Sequence, residues 1–230
     1  MTEQVVIDYY TDILCIWAYI GHRRVEELVS KFDNQIKINT HYCSVFSDAI
    51  GKLEKNWASR DGIAGYAHHV QDVIDEFPHV EVGSKVWSTV RPFSSAPCHL
   101  FLKAVEVAEA EKQDVGQAYL DKPSVRAAWE LRKAFFVAEQ DISEATVQQQ
   151  VCETLAIDYE QIIAPKTLAH AAALLVQDMD QSKEQNVQGS PTFIMNSGRQ
   201  KLFGNVGFRV LEANIRELLS KGKVDDASWC

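Results

Sequence analysis

What this sequence lacks narrows the field first. No apolar run approaches the roughly 18 residues a helix needs to cross a bilayer, so no membrane span or membrane partner is expected. There is no C-x-x-C pair, which argues against a zinc knuckle and leaves no metal site to nominate. Basic residues are in the minority: 23 Lys and Arg stand against 32 Asp and Glu, a net charge of −9. A surface for nucleic-acid phosphates needs clustered cations, so no nucleic-acid partner is expected. There is no phosphate-cradling glycine loop, serine-hydrolase motif, internal repeat, low-complexity tract or Pro/Gly-rich linker. The start, "MTEQVVIDYY", has no basic segment, no long apolar stretch and no small-residue cleavage site, so the expected compartment is the cytoplasm. The five cysteines, Cys15, Cys43, Cys98, Cys152 and Cys230, are odd in number and widely spaced. That usage fits a reducing compartment better than a disulfide framework.

The chain of 230 residues has 46% hydrophobic and 24% charged residues, the profile of an ordinary globular protein with a sizeable core. "EQVVIDYYTD" reads as a buried strand over about residues 4–10. From Ile16 to Phe32 the apolar positions recur at helical spacing, and "QIKINTHYC" reads as a second strand. Residues from about 50 to 185 form amphipathic helical stretches, with a short break at Asp141–Ser143 where Ser143 is the expected N-cap of the next helix. "GSPTFIMN", "GRQKLFGN" and "GFRVLEANIRELLSKG" then read as strand, strand and helix, with "NSG" as a hairpin signal. The tail "KVDDASWC" reads as loosely held. The order βαβ, helices, ββα gives an α/β fold: a thioredoxin-like sheet with a large all-helical insertion. The expected domains are a discontinuous thioredoxin-like unit, 1–48 and 186–222, and an inserted helical unit, 49–185.

Cys15 follows a strand and opens a helix, where unpaired N–H groups and the helix dipole favour an anion. A thiolate there has a lowered pKa and is the nucleophile. The alternative is a small buried hydrophobe, the commonest fate of a free cysteine. Trp17 would give such a site an apolar lip. In "QGSPTF", Pro191 starts a strand, and its X-Pro bond is a candidate cis bond. The first two strands are parallel and end at one edge, and a following antiparallel strand begins there. Cys15, the end of the second strand near Cys43, and Pro191 should therefore meet at one rim. Ser190 would there offer backbone to an extended peptide or to glutathione.

Four segments carry a family resemblance. "WAYIGHRRVEEL" resembles the W-C-Y-I-G-[KH]-R-R stretch of cytosolic DsbA-like proteins of the FrnE type, relatives of 2-hydroxychromene-2-carboxylate isomerase and kappa-class glutathione transferase. "SSAPCHLFLKAVEVAE" resembles the family's N-[ST]-x-x-A-H helix start, with Ser95 and His99 matching. "LRKAFFVAEQDISE" and "VQGSPTFIMNSG" resemble its later segments, in the family order. The resemblance implies a cis proline at Pro191, an insertion that caps the active-site cleft, and a cleft lined by Trp17, Ser95, Cys98 and His99. It implies no tightly bound cofactor, glutathione or protein disulfides as partners, with glutathione as co-substrate, and a homodimer. The chain also departs from the pattern. Dithiol members carry C-P-W-C where this chain has Cys15-Ile16-Trp17-Ala18, so the second thiol and the proline are missing. The isomerase and transferase relatives usually carry Ser at the first position. The family's Asn ahead of the helix is Ser94, and Cys98 stands where Ala is usual.

With Ala18 in the motif, a mixed disulfide on Cys15 waits for an outside thiol. Cys15 would exchange with glutathione mixed disulfides, shuffle disulfides, or be resolved by Cys43 or Cys98, provided the Cα atoms lie within about 7 Å. Cys152 reads as core and Cys230 as incidental. Adjacent His68 and His69 point apart on a helix and make a poor metal pair. Arg91 is a candidate for a glutathione carboxylate. Asp12 is expected to face solvent; turned inward, it would raise the Cys15 pKa. The expected function is single-cysteine thiol–disulfide exchange at Cys15. The rivals are a glutathione-dependent isomerase and a non-enzymatic binding module.

Overall fold

The computed structural model describes residues 4–112 and 117–220. Strand β1 (Val5–Thr11) is rich in β-branched and aromatic residues, and its alternate side chains Val5, Ile7 and Tyr9 share one face. That face is covered by α1 (Ile16–Phe32), through Val25, Leu28 and Phe32. Beside it lies α9 (Phe208–Leu219), through Leu211, Ile215 and Leu218. Spacings of three and four residues put each triplet on one helical face. Burying one such leucine contributes about 1.5–3 kcal/mol. Helix α1 stops where Asp33 takes a positive φ of 37°.

Strand β2 (Ile36–Tyr42) pairs in parallel with β1, from Val5 opposite Ile36 to Thr11 opposite Tyr42. Strand β3 (Thr192–Met195) runs antiparallel to β1, and β4 (Gln200–Phe203) antiparallel to β3, giving the order β2-β1-β3-β4. The β3–β4 hairpin turns through "NSG": Asn196, Ser197 and Gly198 all have positive φ, and Asn196 Oδ1 accepts the Val6 N–H at 3.0 Å. Because Tyr10 lies opposite Thr192, β3 starts at the edge where β1 and β2 end. The segments carrying Cys15, Cys43 and Pro191 therefore reach one rim.

Between β2 and β3 come α2 (Ala49–Asn56), α3 (Gly62–Asp75), α4 (Ala96–Glu111), α5 (Pro123–Phe136), α6 (Ala145–Leu155), α7 (Tyr159–Ile163) and α8 (Pro165–Glu184). Prolines stand in the first turn of α4, α5 and α8, where the missing N–H costs nothing. Asp48 and Asp158 cap α2 and α7 through their carboxylates. These helices share a single core with Ile13, Leu14, Ile16 and Ile20, so they pack directly on the start of α1. Helix α8 is tied to β2 by Asp178, which accepts the Tyr42 N–H at 2.8 Å and meets Lys103 Nζ at 2.9 Å and His41 Nδ1 at 2.8 Å.

Ser143 is not the cap of α6. Its N–H and Oγ–H both donate to Asp141 Oδ1, at 3.0 and 2.6 Å, and Glu144 holds the cap position. The Asp141 carboxylate closes a local turn that engages Ser143 before the helix begins. Cys152 is fully buried. Cys230 and the tail 223–230 lie outside the described residues. Among the described residues no helix is long and apolar enough to cross a membrane.

Candidate active site

The loop from β1 into α1 carries the site. Cys15 is the N-cap residue of α1, with extended backbone (φ −78°, ψ 116°), and its side chain is not used as a cap. Its N–H donates to Asp12 O at 3.1 Å, and its carbonyl accepts the Tyr19 N–H at 3.0 Å. The thiol is 5% exposed, and Sγ donates to the Ser190 carbonyl at 3.2 Å. The Ser190–Pro191 peptide is cis. The nucleophile candidate and the loop before β3 are thus in direct contact although 175 residues separate them.

Asp12 holds this contact in place, and the expectation that it faces solvent is wrong. It is 0% exposed. Its Oδ1 accepts the Leu14 N–H at 3.0 Å, and its Oδ2 accepts the Phe46 N–H at 2.8 Å and the Ser95 hydroxyl at 2.9 Å. Its own N–H donates to Ser190 Oγ at 2.9 Å. One residue therefore joins the end of β1, the segment after β2, the start of α4 and the loop before β3. A buried carboxylate is stable only when so fully hydrogen-bonded. The signal was the stretch "YYTDILCI", where a single acid stands between apolar neighbours on both sides.

The site's electrostatics also depart from the expectation of a lowered Cys15 pKa. Burial pushes the Cys15 thiol up. Hydrogen bonding with the Ser190 side chain and with the N–H groups of Ala18 and Trp17 pulls against burial, while the Asp12 charge adds to it. The helix terminus contributes as expected, but desolvation outweighs it.

His99 is buried. Its Nε2 accepts the Ile13 N–H at 3.2 Å, and its ring stacks on Tyr42 at 4.8 Å. Burial lowers its pKa; Asp12, with Oδ1 3.7 Å from Nε2, pulls the other way. An acceptor Nε2 means a neutral ring with the proton on Nδ1. Ser95 is fully buried and committed to Asp12, and Ser94 Oγ accepts the Ala96 N–H at the start of α4. Ser95 and His99 thus join the network behind Cys15, through Asp12 and Ile13.

The remaining nominated side chains have partners outside this network. Trp17 is half-buried and meets Phe77 edge to face at 6.2 Å. Cys98 is 0% exposed and donates to the Ile142 carbonyl at 3.1 Å. Cys43 packs with Tyr10 and Ile194. Burial pushes its thiol well up, and the Asp12 and Cys15 charges push it further. Arg91 is exposed and donates Nε–H to the Trp87 carbonyl. Among the described residues no group of three or more His, Cys, Asp or Glu is placed to hold a metal ion.

A strand-to-helix cysteine in contact with a cis-proline loop at one edge of a mixed sheet, with an inserted helical block, defines a DsbA-type thioredoxin fold. The sequence model of the DSBA-like thioredoxin domain matches residues 93–216, and the chain belongs to that family. No curated protein matches the chain. Among solved structures it is similar to a candidate protein disulfide isomerase from Nitrosomonas europaea, at 13% identity and TM-score 0.73, covering 96% of this chain and 100% of that one. It is similar to the cytosolic disulfide reductase DsbM from Pseudomonas aeruginosa with GSH, at 18% identity and TM-score 0.63, covering 92% and 99%. It is also similar to a 2-hydroxychromene-2-carboxylate isomerase, at 16% identity and TM-score 0.60, covering 97% and 100%. Identities this low speak for the fold.

Proposed function

We propose that this protein is a single-cysteine thiol–disulfide exchange enzyme that uses Cys15 and draws its reducing equivalents from glutathione in the cytoplasm. The observation that carries this reading is the 3.2 Å contact between Cys15 Sγ and the Ser190 carbonyl at the N-terminus of α1. The Cys15 thiolate attacks the glutathione sulfur of a mixed disulfide R–S–S–G. The Cys15–S–S–G bond forms, the sulfur–sulfur bond between RS and SG breaks, and RS⁻ leaves to take up a proton. A glutathione thiolate then attacks the glutathione sulfur on Cys15, giving oxidised glutathione and restoring the Cys15 thiolate. The net change is reduction of one mixed disulfide to RSH by one glutathione, and a second thiol at position 18 is not required. The α1 N–H groups of Trp17 and Ala18 stabilise the thiolate as it forms, and the Ser190 loop aligns the extended peptide of the substrate. The glutathione named with DsbM agrees with this choice of reductant.

The test is intact mass after incubation with oxidised glutathione, for wild type and Cys15→Ser. The expected result is one glutathione adduct, lost in the variant and removed by reduced glutathione. Failure of Cys15 to react, or full mixed-disulfide reductase activity in the variant, overturns the proposal. The raised Cys15 pKa and the isomerase neighbour favour one second reading, a glutathione-dependent isomerase whose Cys15 does not change redox state. Glutathione-dependent turnover of 2-hydroxychromene-2-carboxylate that survives Cys15→Ser would select it.

A further inference from the structure

A cation unused by this chemistry lies on the α1 side of the sheet. Arg132, on the inner face of α5, is 3% exposed. Its Nη2 donates to Thr11 Oγ1 at 2.8 Å, and its Nε–H is buried without a partner. Among the described residues no carboxylate forms an ion pair with it. Glu106, the acidic residue lining the same cavity, is engaged by Lys103 at 2.9 Å. A guanidinium cannot shed its proton, so its charge persists inside the protein, and a buried charge without a counter-charge is costly.

The guanidinium borders a cavity of about 30 Å³, lined also by Tyr9, Tyr42, Tyr119 and His22. One water needs about 10–15 Å³ of such space. The cavity therefore has room for a monatomic ion or two waters. Its walls suit an anion. Burial pushes the three phenols up, so they remain protonated and can donate. Burial, with Arg132 adding to it, holds His22 down at about 3, so no second cation competes.

We propose that this cavity is a halide site in which one chloride ion accepts the Arg132 Nε–H and neutralises its charge. The ion closes the junction between α5 and Thr11, the residue that precedes the Asp12 hub. It steadies the docking of the helical block on β1 and takes no part in thiol exchange.

The direct test is a crystal of the intact protein soaked in sodium bromide. The expected result is an anomalous bromide peak within hydrogen-bonding reach of Arg132 Nε; water alone at that position overturns the proposal. In solution, Tm in sodium chloride is compared with Tm in sodium gluconate at matched ionic strength. By mass action, chloride should raise Tm saturably. Arg132→Gln should abolish that difference, and Glu106→Gln, which removes the cavity's negative charge, should move its midpoint to lower chloride. Equal Tm in the two salts, or an undiminished chloride response in a folded Arg132→Gln, overturns the site. Should Arg132→Gln fail to fold, the wild-type bromide map and the Glu106→Gln midpoint decide.

Discussion

Asp12 offers the most demanding check, because one substitution should move stability and thiol reactivity in opposite senses. Three donors converge on its carboxylate: Leu14 N–H, Phe46 N–H and the Ser95 hydroxyl. Asp12→Ala orphans all three in a fully buried place. At about 1–3 kcal/mol for each unsatisfied donor the three cost about 3–9 kcal/mol, and relief from removing a buried charge subtracts from that, so the loss should be about 3 kcal/mol. That is a large part of the roughly 5–15 kcal/mol that holds a domain folded. Asp12→Asn keeps the shape and one acceptor oxygen. The Ser95 hydroxyl can rotate to accept from the new amide, but the Phe46 N–H then faces a donor, at a cost of about 2 kcal/mol. Urea denaturation at unchanged m reads both losses. The second readout is alkylation of Cys15 against pH, followed by mass spectrometry of the Cys15 peptide. The Asp12 charge pushes the thiol up, so Asp12→Asn should shift the alkylation profile to lower pH. A loss below about 1 kcal/mol in Asp12→Ala, or an unmoved profile in Asp12→Asn, refutes the hub.

Two histidines should shape stability against pH with opposite signs. Burial opposes charge on His41, but hydrogen bonds to Asp178 and Asp8 outweigh it and hold its pKa up at about 9. Its contribution is therefore complete below pH 6.5 and lost as pH rises through about 9. The loss amounts to up to about 3 kcal/mol, and His41→Asn should flatten that alkaline limb in urea titrations. His22, stacked on Trp129 at 4.3 Å, is held neutral at about 3 by burial, so stability should fall as pH drops from 6.5 toward 3. His22→Phe should remove its part of that slope. Gly65→Ala should lower thermal stability by about 1–3 kcal/mol or more, because the new Cβ would stand 1.6 Å from the Arg60 carbonyl oxygen and displace that backbone. A melting curve that matches wild type would refute the contact.

The local elements were legible in the sequence because each rests on near neighbours. The alternation of Val5, Ile7 and Tyr9 and the helical spacing of Val25, Leu28 and Phe32 name their own faces. The shared rim followed from those elements, because two parallel strands end at one edge and a following antiparallel strand begins there, which brings Cys15 and Pro191 together. Ser143 misled because two groups competed for the same turn, and Asp141, the stronger acceptor, engaged it first. Whether a polar side chain faces in or out is a different kind of question. Asp12 is buried because Phe46, Ser95 and Ser190 arrive from distant parts of the chain with groups to satisfy it. Arg132 is buried because Thr11 and three tyrosines close around α5. The same enclosure reversed the expected direction of the Cys15 pKa: the helix N-terminus is a local feature, but desolvation depends on everything packed above it. The sequence alone thus determined the fold class and the cysteine at the head of α1, through periodicity and spacing. The tertiary structure decided the charges and partners around that cysteine, because solvent exclusion belongs to the assembled core.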